Sequence, residues 1–217
     1  MNYRLLLAAL SLGLAALPAA FANEAAPEVA QPTPDPTPKL ALGVMMKQGD
    51  KLVFSPCRDR SYALVEDVSS DGAVLQGLRA VGLDAGKKLY VELIGVMDGI
   101  NLKVSTLNLA RTEGRCQQPG GEAESWRAAG YAPGWLLVAG GEHVTLRREG
   151  VADLNLPYRE FQTDTDGVSY QGRNDNHQLS LTFTATQCLD PQAQAVFGWQ
   201  ARLSVDGQTL TGCAWRR

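Results

Sequence analysis

The sequence predicts a mainly β protein: an N-terminal OB-like five-stranded barrel with one helix, followed by a small antiparallel β-barrel or sandwich. Three observations carry that expectation. Apolar and polar residues alternate with period two along much of the chain. The plainest case is Phe197, Trp199, Ala201, Leu203 and Val205 on one side, with Gly198, Gln200, Arg202 and Ser204 opposite. A single stretch, "AVLQGLRAVG", has helical spacing. Gly, Asp and Asn punctuate the remainder at short intervals, which suits short strands joined by tight turns.

The chain opens with "MNYR", the apolar run "LLLAALSLGLAALPAA", and small residues ending at Ala22. Residues 1–22 therefore read as a secretory signal peptide with cleavage after Ala22. The run is about 17–18 residues long, so retention as a membrane anchor is the competing reading. Pro18 and the A-x-A site favour cleavage, and no nearby cysteine offers a point for lipid attachment. The expected product is a soluble, exported, periplasmic chain. Removing Arg4 leaves 19 basic against 23 acidic side chains, a formal −4, which gives no electrostatic case for nucleic acid. Residues 23–38 carry Pro27, Pro32, Pro34, Pro36 and Pro38 among small and polar residues, the composition of an extended spacer.

The first folded block is placed at 39–116. "LALGVMM", "KLVFSPC" and "SYALVEDV" read as three strands. The helix follows, with Val74, Leu78 and Val81 on one face, Asp71 as N-cap and Gly82 as C-cap. "KKLYVELIGVM" and "INLKVSTLNLA" are two further strands, joined by a hairpin at Asp98–Gly99. Three strands, a helix and two strands is the element order of an OB barrel. The segment 117–125 has Pro and Gly without apolar period and reads as a linker. The second block, 126–217, has six or seven short strand-like runs and no helix.

Four cysteines, Cys57, Cys116, Cys188 and Cys213, permit three pairings. Zinc sites want close ligand pairs, and His143 and His177 stand far apart from each other and from paired cysteines. Met45 and Met46 are neighbours on a strand and face opposite ways, so they read as core filler. No nucleophile motif accompanies the histidines, and Asp164 and Asp166 in "TDTDG" read as a solvated turn. The expectation is no enzyme activity, no metal and no cofactor. Export permits disulfides, and each block holds two cysteines near its strand ends. The predicted pairs are Cys57–Cys116 and Cys188–Cys213, stabilising by roughly 4 and 3–4 kcal/mol in the chain-entropy account.

"WRAAGYAPGW" (126–135), "CLD" (188–190) and "DGQTLTGC" (206–213) resemble an uncharacterised family of proteobacterial envelope proteins, many of them lipoproteins. The matching positions are Arg127, Ala128, Gly130, Pro133, Gly134, Trp135, Cys188, Asp190, Gly212 and Cys213. The chain departs where that family has M-S-G and this one "QAQ", at Ala132 in place of Glu, at Ala214 in place of Gly, and in lacking a lipobox cysteine. The resemblance implies an envelope location and a small disulfide-bearing β-unit, and supplies no reaction. Trp126, Tyr131 and Trp135 are candidate ligand-binding aromatics, with core packing the alternative. Trp199 reads as core, and Trp215–Arg217 as a frayed tail. The functional expectation is an exported, non-enzymatic envelope binding or accessory protein whose partner is an envelope protein or glycan. The alternative is an inhibitor of a hydrolase such as lysozyme.

Overall fold

The computed structural model describes residues 37–112, 116, 123–165 and 167–217. The predicted signal peptide, nearly all of the Pro-rich segment, most of 117–125 and Asp166 lie outside the described residues.

The first sheet begins with β1 (Lys39–Gln48), β2 (Lys51–Pro56) and β3 (Ala63–Asp67), antiparallel in sequence. Helix α1 (Ala73–Ala80) follows, then β4 (Leu89–Asp98) and β5 (Asn101–Arg111). β5 pairs parallel to β3 and antiparallel to β4, and β4 returns to β1. The circuit β1-β2-β3-β5-β4-β1 closes a five-stranded barrel in OB order. Met45, Leu89, Val91, Leu93 and Val104 point inward, and Val74 and Leu78 of α1 pack with them. Connected to the end of β3 and the start of β4, the helix covers one end of the barrel.

The helix ends differ in part from the expectation. Asp71 is not the N-cap: it has φ +56° inside a 3-10 turn, and Gly72 precedes the helix. The free N–H groups are taken from upstream instead, Leu75 N donating to Asp67 Oδ2 at 2.8 Å and Val74 N to Ser69 Oγ at 3.1 Å. At the other end Gly82, at φ +103°, donates to Arg79 O, and Leu83 donates to Leu78 O. That is the Schellman arrangement, in which the left-handed position favours glycine.

The second sheet contains β6 (Glu124–Tyr131), β7 (Gly134–Gly140), β8 (His143–Arg148), β9 (Val151–Pro157), β10 (Gln162–Thr163), β11 (Gly167–Arg173) and β12 (Gln178–Thr184). After the short β13 (Cys188–Asp190) and β14 (Ala195–Phe197), it resumes with β15 (Trp199–Val205) and β16 (Gln208–Arg216). Its order is β10-β11-β12-β15-β16-β6-β7-β8-β9, every pair antiparallel. The nine strands curl into a half-barrel around Leu137, Leu146, Leu179, Phe183 and Leu203. Alternation along each strand leaves the outer face wet.

Period two suggests one continuous strand through 197–205, but the chain changes sheets inside it. β14 pairs with β5 of the first sheet, Val196 opposite Ala110, whereas β15 pairs with β12 and β16. The switch falls at Gly198, whose N–H donates to Asn108 O at 2.8 Å. A Cβ there would stand 2.2 Å from Leu107 O, so only glycine lets the two backbones approach. Tyr90, Leu109, Ala195, Phe197 and Cys213 form a small core at this junction, with Cys57, Cys188 and Trp215 against it.

Candidate functional site

A cavity lies at the barrel end opposite α1, among the starts of β1 and β5 and the ends of β2 and β4. Its volume is about 740 Å³. Phe54 forms part of its wall, and its position has a local cause. Gly43 stands opposite Pro56, and a Cβ on Gly43 would fall 2.4 Å from the Phe54 ring, so the glycine makes room for it. On β4, register shifts against β5 at Glu92/Leu93 and at Ile94/Gly95 bend the strand, and Gly95–Met97 line the cavity. Leu40, Ala41, Leu42, Leu102 and Pro56 add to the apolar lining and Tyr90 also borders it; Cys57 and Cys116 of the first disulfide flank it, and Lys39, Arg58 and Asp59 supply its charges.

The rim is unusually apolar. Among the described residues eight large hydrophobic side chains are exposed; Leu40 and Met97, at 45% and 48%, line the cavity, and Tyr62 and Ile100 directly precede β3 and β5, whose starts lie at the same barrel end. Scattered exposed apolar residues need no explanation, but a group around a concave apolar cleft marks a binding surface. Asp59 is engaged locally. It accepts from Ser61 Oγ and, at 2.8 Å, Ser61 N, and those two bonds, in that order, hold its carboxyl below the usual carboxylate value. Asp98 and Lys103 pair with each other at 2.7 Å on the neighbouring hairpin.

The aromatic trio expected from the sequence does not share a cleft. Trp126 is buried among Phe183, Phe161 and Trp199, with ring centroids 5.0–6.1 Å away. Trp135 is buried too, its indole Nε1 donating to Thr211 O at 3.2 Å. Tyr131 is 53% exposed and by strand alternation faces away from both. Its hydroxyl is pushed up, first by partial burial and then by the charge of Asp190. Two of the motif glycines, Gly130 and Gly212, pack against Trp135. Cβ atoms on Gly130 or Gly212 would stand 2.3 and 2.8 Å from its indole, and Cys213 of the Cys188–Cys213 disulfide adjoins Gly212. Pro133 and Gly134 form the turn before it, with a cis Ala132–Pro133 peptide. Arg127 makes a two-pronged ion pair with Glu124, at 2.7 and 2.9 Å. Asp190 is 8% exposed and its Oδ1 accepts from Gln192 N and Ala193 N.

No protein-family model, curated protein or solved structure matches this chain.

The remaining titratable groups assemble elsewhere. His177 Nδ1 lies 2.7 Å from Asp206 Oδ2, and Asp206 Oδ1 accepts from Gln178 N, which ties two turns together on an exposed surface. His143 is exposed on β8. Among the described residues no three His, Cys, Asp or Glu side chains cluster as metal ligands, and no helix is long and apolar enough to cross a membrane. A second polar cluster is buried. Glu92 accepts from Asn108 Nδ2 at 2.7 Å, Tyr90 Oη at 2.9 Å and Arg217 Nη1 at 3.3 Å. Burial, reinforced by the Glu92 charge, raises the Tyr90 hydroxyl well above its ordinary range. Asn108 also exchanges two hydrogen bonds with the backbone of Arg216. The chain terminus is thus docked, not frayed: Arg217 reaches Glu92, and the Arg216 guanidinium lies 5.1 Å from the Trp126 ring and 5.9 Å from Trp199.

Proposed function

We propose that this chain is an exported, non-enzymatic binding or accessory protein of the bacterial envelope, and that the open end of its barrel holds the ligand. The observation that carries the reading is the apolar cleft with its exposed apolar rim, the combination that marks recognition sites. Export rests on the signal-like opening of the sequence, and the two disulfides are compatible with it. Kinship of the second unit with the envelope family rests on the shared motif residues, of which Gly130 and Gly212 pack on Trp135 beside the second disulfide.

The test is a photoreactive residue placed at Met97 in the full-length chain and activated in intact cells. The expected result is a crosslinked adduct in the periplasmic or envelope fraction, absent when the same group replaces Asp153 on β9. No adduct at the barrel mouth, or a chain confined to the cytoplasm, refutes the reading. Inhibition of a hydrolase such as lysozyme has one observation in its favour. Tyr131 and Leu189, exposed on the two elements flanking the Cys188–Cys213 bridge, offer apolar contacts on a stapled frame. Inhibition in a lysozyme assay, lost in Tyr131→Ala, is its expected outcome, and no inhibition at micromolar concentration removes it.

A further inference from the structure

The barrel-mouth cleft has two chemically distinct parts. Its walls are aliphatic and aromatic, from Leu40, Leu42, Phe54, Met97 and Leu102. Its charged part carries Lys39 and Arg58 against one carboxylate, Asp59. Asp59 Oδ1 accepts both donors of Ser61, and Arg58, exposed, has no ion pair among the described residues. The guanidinium is therefore left facing solvent at the edge of an apolar hollow. A volume of about 740 Å³ is in the range that encloses a small ligand and well below what a folded partner would fill. Leu40 and Met97, both about half exposed, gain most from being covered.

We infer that the cleft between β1, β2 and the end of β4 is a binding site for a single-chain anionic amphiphile, whose aliphatic tail lies against Leu40, Phe54, Met97 and Leu102 and whose anionic head meets Arg58. The inference rests on the barrel mouth being the ligand site and adds the chemical class of the ligand. An aliphatic tail uses the apolar wall without leaving buried polar groups unpaired, which a glycan would do. A guanidinium holds a carboxylate or phosphate in its planar fork, which sets the orientation of the chain in the cleft. The same chemistry is found in free fatty acids and in lysophospholipids, and the head group separates the two.

The test is calorimetric titration of the protein, purified with its disulfides intact, with octanoate, decanoate and dodecanoate below their micellar concentrations. The expected result is one site whose affinity rises about four-fold per added methylene until the cleft is filled. Dodecyl maltoside, with the same tail and no charge, binds at least ten-fold more weakly than dodecanoate. Met97→Asp and Leu40→Asp abolish binding, Arg58→Glu weakens dodecanoate and leaves dodecyl maltoside unchanged, and Tyr131→Ala changes neither. Met97 and Leu40 are exposed enough that their variants keep the wild-type melting temperature, which is checked by circular dichroism. Lysophosphatidylglycerol binding more tightly than dodecanoate assigns the head to a phospholipid source, and the reverse assigns it to a free carboxylate; both support the site. Absence of binding by all these amphiphiles, affinity without chain-length dependence, or indifference to Met97→Asp overturns the inference. If that happens while the photoreactive group at Met97 still captures a protein, the mouth remains the ligand site and its occupant is a polypeptide.

Discussion

Removal of the last side chain should be costly. Arg217 is the final residue, yet its side chain is 12% exposed and faces Glu92, which is 1% exposed. Replacing it by Ala leaves that carboxylate buried without its cation. Breaking a buried pair by removing one partner costs about 3–5 kcal/mol. Here the carboxylate keeps the hydrogen bonds from Tyr90 and Asn108, and the Arg217 N–H still reaches Ser125 O, so the loss is placed at about 2–3 kcal/mol. With a slope of about 2 kcal/mol per M, the urea midpoint falls by about 1–1.5 M. Tryptophan fluorescence reports it, because Trp215 and Trp126 adjoin the docked tail. Glu92→Gln in the same background should add less than it does alone, which gives a positive coupling in a double-mutant cycle. A midpoint shift below about 0.25 M in Arg217→Ala, or additive effects, would refute the buried-pair argument and return the tail to the solvent.

Three further outcomes follow from the packing. Gly212→Ala places a Cβ 2.0 Å from Ala129 O and 2.8 Å from the Trp135 indole, so a loss above about 3 kcal/mol, or no folded product, is expected in chemical denaturation. Cys188→Ser with Cys213→Ser opens a bridge of sequence separation 25 and lowers stability by roughly 3–4 kcal/mol, while peptide mapping without reduction still finds Cys57 joined to Cys116. The Asp206 carboxyl is held below its ordinary 3.8 by the Gln178 N–H first and by His177 second. A depressed folded-state pKa contributes stability above the unfolded value and loses it as pH falls through the folded one. Asp206→Ala should therefore melt below wild type at pH 7, and the two curves should converge as pH falls below the ordinary carboxylate value of 3.8, as read by calorimetry.

The alternation of side chains made most strands legible, and the order of elements made the barrel legible, because both are local records of which face meets the core. The two bridges were legible from cysteine positions relative to strand ends. The strand switch at Gly198 was not. Alternation runs unbroken through 197–205, and only the proximity of Leu107 O, a contact between distant stretches, reveals the change of sheet. The helix cap went to Asp67 and Ser69 because a 3-10 turn intervenes where Asp71 was expected to act. Trp126 and Trp135 look the same as Tyr131 in sequence, and the inward or outward sense of a strand decides which of them a ligand can reach. Leu40, Arg58, Met97 and Ile100 were missed. The signal present was apolar residues on both sides of the Asp98–Gly99 turn, where solvent-facing positions would ordinarily be polar. A further unread signal was Glu92, one charge inside "YVELIGV", which needed a cation from 125 residues away.

The β13–β14 hairpin also determines what happens if the chain is cut. Val196 covers the edge of β5 at Ala110, although 86 positions separate them. A fragment ending after the barrel sequence would carry that edge bare, with Leu109 and Ala110 deprived of Phe197 and Val196. An uncovered strand edge is a template for pairing with another copy. Expressed alone, the first hundred or so residues would thus tend to stick to one another, and the late hairpin works as the barrel's built-in guard against self-association.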